Sequence, residues 1–402
     1  LLGAKGYRVT VFDPLDEPGG RAYAHRQDGF VFDAGPTIIT APWLFENLWR
    51  DCGGRMSDDV ELRPNAPFYR VRYDDGTVFD YSGDRAAMEE QIARIEPRDV
   101  AGYRSFLDES RRIYEVAFEQ LAHKPFHSLL FTAKTLARLV RLGGYRSVYS
   151  VVSKHFRNDK LRTLFSFHPL LIGGNPFSAT SFYCLIAHLE GKYGVHHAIG
   201  GTNALVRGIA SLVTRNGGRI RLNEQVVEIE TEGRRATGVR LASGETITAD
   251  IVVSNADPAT TYGHLLKAHP RRRWTDAKLA RGDYSMSLFV WYFGTNRRYD
   301  DVLHHTMLFG PRYKGLLDDI FRSQRLAEDF SLYLHRPTAS DPSLAPPGCD
   351  AFYVLSPVPN LQSGTDWSAA AERYRRKIEK RLEETVLPDL SRHIVTSRIA
   401  TP

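Results

Sequence analysis

The sequence predicts an α/β protein in which a parallel sheet with an attached β-meander is interleaved with a mixed, largely helical domain. Three observations point to this. Tyr7 to Phe12 is a β-branched and aromatic run that ends on an acid, Asp13. Residues 85–190 are mostly helical in pattern, with many large apolar side chains and few strand-like runs. At Gly200-Gly201-Thr202 the pattern turns back to one helix followed by several short strands. At 402 residues the chain is long for a single core, so two intimately connected domains are expected.

Leu1 to Gly6 reads as the last turn of a helix with a glycine stop. A helix end, a strand and an acid at the strand's tip form the second half of a Rossmann-like βαβ unit. In that unit the acid accepts hydrogen bonds from ribose hydroxyls about 20 residues after a glycine-rich phosphate loop. Counting back from Asp13 places that loop before residue 1, and Thr401-Pro402 follows a strand-like run (Ile394, Val395, Ile399) without a capping element. The chain therefore reads as a fragment at both ends.

After Asp13 the chain runs through Pro18-Gly19-Gly20-Arg21 and then Gly29 to Pro36, followed to about Asn65 by a helical and then a polar stretch. Arg70 to Tyr81 alternates around Asp75-Gly76, a hairpin signal. Leu205, Ile209, Leu212 and Val213 recur at helical spacing until Asn216-Gly217-Gly218 stops them. Arg219 to Asn223, Val226 to Thr231, Thr237 to Leu241 and Thr246 to Val253 read as strands, as does Ser287 to Phe293. The expected layout is a cofactor domain from residues 1–80 and 196–260, a helical substrate and membrane domain from 81–195, and its continuation over 261–402.

Composition excludes several classes. No stretch approaches the roughly 18 to 20 continuous apolar residues of a membrane-spanning helix. Cys52, Cys184 and Cys349 lie far apart without CxxC spacing, which fits a reducing compartment and excludes a disulfide framework or thiolate metal site. His168, His188, His196-His197 and His304-His305 show no metal-triad spacing and HExxH is absent, so no metal site is expected. No nucleophile elbow is present. From Gln120 to Asn158 there is no Asp or Glu, while Lys124, Lys134, Arg138, Arg141, Arg146, Lys154 and Arg157 interleave with Leu129, Leu130, Leu136, Leu139, Val140, Val148, Val151 and Val152. Such a basic amphipathic surface suits an anionic bilayer, whereas no nucleic-acid motif accompanies the charge.

The sharpest motif is Asp13 followed by Gly19-Gly20-Arg21. Adjacent glycines let backbone approach a phosphate or flavin edge without Cβ interference, and the arginine can pair bidentately with a pyrophosphate. Taken alone, Gly-Gly-Arg is equally a surface turn; the strand and terminal acid at this spacing favour the cofactor reading.

The run D-P-L-D-E-P-G-G-R-A, followed by G-F-V-F-D-A-G-P-T-I-I-T, resembles flavoprotein amine oxidases and, more closely, carotenoid desaturases of the bacterial phytoene desaturase type. The resemblance continues through F-S-F-H-P-L-L-I-G-G-N-P-F at 165–177, G-G-T-N-A-L at 200–205, V-V-S-N-A-D-P at 252–258, S-L-F-V-W-Y-F-G at 287–294 and L-F-G-P-R-Y at 308–313. It implies FAD, with Asp13 at the adenosine ribose, Gly19, Gly20 and Arg21 at the pyrophosphate and flavin side, and Gly35 and Pro36 at the flavin ring. By the same resemblance Val226 pairs its backbone with the adenine, and Asn255 to Asp257 close the far side. Two pieces of the family pattern, the amino-terminal glycine loop and a carboxy-terminal phosphate segment, fall outside these 402 residues. The functional expectation therefore attaches to the parent protein, and weak or no FAD retention is expected of this chain alone.

The implied activity is stepwise desaturation of phytoene to neurosporene- or lycopene-type carotenoids, with quinone or oxygen reoxidising the flavin. The expected place is the cytoplasmic face of the membrane, held peripherally, since the substrate must be collected from lipid. Side-chain bases alone cannot abstract hydrogen from an unactivated polyene, so the hard chemistry belongs to the cofactor while the protein supplies a channel and alignment. His168 and Arg146 are candidates for polar groups near that channel. The alternatives are a desaturase of hydroxylated or methoxylated carotenoids, a flavin amine oxidase, a carotenoid isomerase, and a non-catalytic prenyl-lipid escort protein.

Overall fold

The computed structural model describes all residues except 126–127, and all side chains of its helices and strands except those of Leu129 and Lys134. In chain order the first strands are β1 (Thr10–Phe12), β2 (Ala24–Gln27), β3 (Phe30–Asp33), β4 (Leu62–Pro64), β5 (Tyr69–Arg72) and β6 (Val78–Tyr81). After the helical region come β7 (His196–Ala198), β8 (Arg219–Arg221), β9 (Val226–Glu232), β10 (Arg235–Leu241) and β11 (Thr246–Thr248). The last are β12 (Ser287–Thr295), β13 (His305–Leu308), β14 (Leu332–His335), β15 (Asp350–Val358) and β16 (Ile394–Ala400).

β1 and β8 pair in parallel, with Val11 opposite Ile220, and β9, β10 and β11 form an antiparallel meander with β9 at its edge. Parallel sheet plus meander is thus the observed arrangement, in shorter strands than expected. Tyr7 to Val9 lie outside β1 because the parallel partner β8 begins only at Arg219, after the turn at Gly217 (φ 75°). Residues 249–257 are irregular because pairing with β10 ends at the bond from Ala249 N–H to Thr237 C=O. Gly6 closes the opening turn at φ 88°, as a helix stop would.

The largest sheet runs β16-β12-β15-β14-β13-β5-β6. It is antiparallel except where β13 meets β5. The hairpin around Gly76 (φ 84°) forms as expected, but its strands belong to this sheet and not with β1 and β8. Val71, Phe79 and Tyr81 bury there against the helical domain, which explains why the hairpin leaves the cofactor domain it was grouped with. Phe289, Trp291 and Phe293 alternate inward on one face and pack on the helix Trp367–Thr385, whose Tyr374, Ile378 and Leu382 recur at helical spacing.

Between residues 85 and 193 the described elements are helices joined by turns, including Asp99–Ile113, Leu129–Arg141, Val148–His155, Asp159–Ser166 and Leu185–Tyr193. Asp99 accepts hydrogen bonds from the backbone N–H groups of Arg157 and Asn158, tying the start of one helix to the turn between two others. No described helix is long and apolar enough to cross a membrane.

Candidate cofactor and active site

Asp13 stands at the tip of β1. Its N–H donates to Arg221 C=O, its C=O accepts from Glu224 N–H at 3.0 Å, and its carboxylate takes the N–H of Leu15 at 2.9 Å. The start of edge strand β9, and with it Val226, therefore lies beside the β1 tip. Gly19 and Gly20 adopt φ 141° and 53°, conformations open to glycine, and leave Arg21 exposed. Asp257 caps the short helix Pro258–Thr260 by accepting from Thr260 N–H, and Arg21 is close enough to help hold its carboxyl below the usual range after that bond. Asn255 is exposed on the same irregular segment. Asp13 thus lies beside the start of β9 that carries Val226, and Arg21, after Gly19 and Gly20, lies near Asp257 on the segment that carries Asn255.

Gly35 joins the second motif to the first. A Cβ placed on it would stand 1.9 Å from the carbonyl oxygen of Arg21, so the two loops meet backbone to backbone. Ala34 N–H donates to Tyr23 C=O at 2.7 Å and Pro36 C=O accepts from the Thr202 hydroxyl. These features fit the adenosine and pyrophosphate end of FAD: an acid at a parallel strand's tip, a left-handed Gly-Gly loop with a free arginine, and a sheet edge presenting backbone groups.

Asp33, quoted within the second motif but given no role, is the hinge of the site. It is buried and accepts the N–H groups of Thr202 and Asn203 at the start of the helix Thr202–Arg215. Burial raises its pKa to about 6, opposed by those two backbone donors. Gly201 (φ 78°) lets the helix start come this close, since a Cβ there would lie 2.7 Å from Asp33 Oδ1. That contact is the physical content of the G-G-T-N-A-L block.

Under the Gly35 loop a row of polar rings crosses the large sheet. Tyr292 faces Tyr353, Tyr353 faces His335, and His335 faces His305 in strand register. Tyr69 continues the row, its ring 5.9 Å from that of His305, and pairs with Tyr81. Thr37 hydrogen-bonds both Tyr333 (2.9 Å) and Tyr353 (3.1 Å), so the motif's threonine seats the loop on the row. These tyrosines carry no sequence signal of their own; only register across four strands brings them together.

Of the two polar candidates, His168 lies in the dry core, its Nε2 3.1 Å from Glu190, whose other oxygen accepts from Tyr69 at 2.6 Å. Arg146 lies apart, its guanidinium 5.4 Å above the ring of Tyr145. The structure does not bring the two together.

Three histidines form a group that their spacing does not show. His304, His305 and His335 are buried together, with one nitrogen of each within 4.8 Å of the others, although no spacing in the sequence announces a triad.

The basic stretch is also narrower than expected. Val148, Val151 and Val152 pack into the helical core because their helix lies between Asp99–Ile113 and Asp159–Ser166. The helix Leu129–Arg141 instead turns apolar groups to solvent: Leu130 is 67% exposed, Leu136 60%, and Tyr145 just beyond it 70%. Arg138 and Arg141 lie exposed beside them without a carboxylate partner among the described residues. The expected outward places of the Leu129 and Lys134 side chains fall outside the described residues.

A twisted parallel edge for an adenosine group, a close-packed glycine loop and a large antiparallel sheet beneath it define a flavin-oxidoreductase architecture. The chain belongs to the flavin containing amine oxidoreductase family, which matches residues 1–390. It is 48% identical to the phytoene desaturase (neurosporene-forming) of Cereibacter sphaeroides, over 100% of this chain and 78% of the relative. It is 46% identical to the phytoene desaturase (lycopene-forming) of Pseudescherichia vulneris, over 100% of this chain and 82% of the relative. A putrescine oxidase redesigned in its cofactor binding shares the fold with TM-score 0.61 at 15% identity, over 100% of this chain and 82% of that one.

Proposed function

We propose that the chain carries out FAD-dependent desaturation of phytoene, by successive C–C dehydrogenation to neurosporene- or lycopene-type carotenoids. The observation that carries this is the full-chain likeness, at 48% and 46%, to relatives named for that reaction. When bound, FAD supplies the hydride acceptor that no side chain can replace. The protein's part is to bind, orient and keep water away.

In this reading Asp13 accepts the ribose hydroxyls, Arg21 neutralises the pyrophosphate, and the β9 edge at Val226 meets the adenine. Gly35 and Pro36 approach the flavin ring, with Asn255 and Asp257 closing the far side. The Tyr292–Tyr353–His335–His305 row underlies that loop and holds it through Thr37. Each turnover removes one hydride and one proton from neighbouring carbons, and the proton leaves an allylic cation that needs only a weak base. His168 is proposed as the group that fixes Glu190 and Tyr69 at the end of the row, and Arg146 as part of the channel's basic mouth. Residues 81–195 supply the substrate and membrane domain, continued by 261–402.

The substrate is insoluble in water, and the exposed Leu130, Leu136, Val140 and Tyr145 beside Arg138 and Arg141 suit the headgroup region of an anionic membrane. Each such cation contributes about 1 kcal/mol near the surface. The reading includes peripheral binding at the cytoplasmic face, with quinone or oxygen as the final electron acceptor.

The test is a direct comparison of substrates. Flavin-loaded protein is incubated with vesicles carrying phytoene, and separately with polyamines and amino acids. New conjugated absorption from phytoene and no peroxide from the amines is expected. Peroxide from an amine with phytoene unchanged would overturn the assignment in favour of an amine oxidase.

A further inference from the structure

We propose that His304, His305 and His335 form a site for a divalent transition-metal ion of the zinc class. The three lie at the join of β13 and β14, where His305 and His335 are cross-strand partners and His304 precedes β13. His304 Nε2 and His335 Nε2 stand 3.0 Å apart. The nitrogens of a tetrahedral zinc site are ~3.3 Å apart, from Zn–N bonds of about 2.0–2.1 Å. Small side-chain rotations bring the third nitrogen in from the present separations, which reach 4.8 Å.

The outer contacts are those a metal-binding imidazole requires. His304 Nδ1 is hydrogen-bonded to Ser340 Oγ at 2.8 Å, and His305 Nδ1 to Tyr333 OH at 2.6 Å. Each bond occupies one ring nitrogen and fixes the other for coordination. Without an ion the arrangement is poorly satisfied. His305 Nε2 and His335 Nδ1 have no hydrogen-bond partner, and His197 Nε2, on a ring 4.6 Å from His304, has none either. Nitrogens left without a partner in a dry core are unfavourable. Imidazole donors select ions of the zinc, copper and iron group over magnesium or calcium.

The fourth position faces a small cavity lined by His197, Asp33 and Asp341 together with His304 and His335. The two carboxylates there offset the charge that three neutral ligands leave uncompensated. The ion would clamp β13 to β14 directly under the Gly35 loop.

The experiment uses full-length, flavin-loaded protein, stripped with chelator and dialysed against Zn²⁺ or Co²⁺ alone. Metal content by mass spectrometry and Co²⁺ ligand-field bands at wavelengths beyond the flavin's are recorded. One ion per chain with tetrahedral-type Co²⁺ bands is expected, lost in His335→Gln and kept in His264→Gln, whose side chain is exposed elsewhere. Should His335→Gln fail to fold, Ser340→Ala serves, with an expected affinity loss of about 10–100-fold. Folded wild-type protein that retains no ion, or equal binding by His264→Gln and the Ser340→Ala variant, would overturn the site.

Discussion

The carbonyl oxygen of Arg21 lies so close to Gly35 that a single methyl group would stand 1.9 Å from it, locking the Gly-Gly-Arg loop onto the loop that follows β3. Two motifs that read separately in the sequence are therefore one structural unit. Substituting Gly35→Ala forces these backbones apart, with an expected stability loss of about 1–3 kcal/mol. Flavin content per folded protein should fall with it; absorbance at the flavin bands against protein concentration measures this. Wild-type flavin content in Gly35→Ala would detach this loop from the cofactor.

Asp13→Ala and Arg21→Ala act on neighbouring parts of the proposed ligand, the adenosine ribose and the pyrophosphate. Each should weaken FAD retention while leaving the melting transition of the stripped protein within about 0.5 kcal/mol of wild type, because both groups lie at the surface of the edge. Equilibrium dialysis with FAD reads the difference. Unchanged retention after both substitutions would count against the assignment of the β1 tip.

Asp33 gives the fold a pH dependence whose sign is fixed by its raised pKa of about 6. Between the ordinary carboxyl range near pH 4 and that value, the folded protein holds a proton that the unfolded chain has released. Stability from this group is therefore present at low pH and lost as pH rises through about 6. Asp33→Asn removes the titration, so its stability relative to wild type should improve by up to about 3 kcal/mol between about pH 4 and pH 8. Denaturant unfolding of both proteins across that range checks it; a constant difference would refute the burial argument.

Glu190 is fully buried and depends on Tyr69 and His168. His168→Ala leaves its carboxylate one partner short, and a destabilisation on the order of 3 kcal/mol is expected. Folded His168→Gln protein should keep its desaturation rate. A rate loss in folded protein, with normal flavin content, would instead place His168 in the reaction.

Much of the candidate edge's local geometry was legible because each part is short-range. A β-branched run ending on Asp13, a Gly-Gly-Arg turn, and a Gly-Gly start before Thr202 are short-range signals whose physics needs no distant partner. The histidine cluster was illegible for the opposite reason. His304 and His305 are adjacent, which on a regular strand would send them to opposite faces, but His304 precedes β13 and turns back toward His335. The polar row needed the register of β12 through β15, which no sequence spacing contains. Val148, Val151 and Val152 misled because helical spacing marks an apolar face without saying whether it meets lipid or protein.

The exposed leucines supply a separate test. Leu130→Ser with Leu136→Ser should lower co-sedimentation with anionic phosphatidylserine vesicles several-fold and leave binding to FAD unaltered, since these side chains are turned to solvent. Equal sedimentation of variant and wild type would remove this helix from membrane binding.

The central claim is tested most directly by expressing the full-length protein in a bacterial host that accumulates only phytoene, then recording the visible spectrum of each chromatographic pigment peak. Coloured products are predicted, with band positions that count the conjugated double bonds and separate neurosporene-type from lycopene-type carotenoids. Colourless phytoene alone, in cells where the protein is present, folded and carrying FAD, would contradict the assignment.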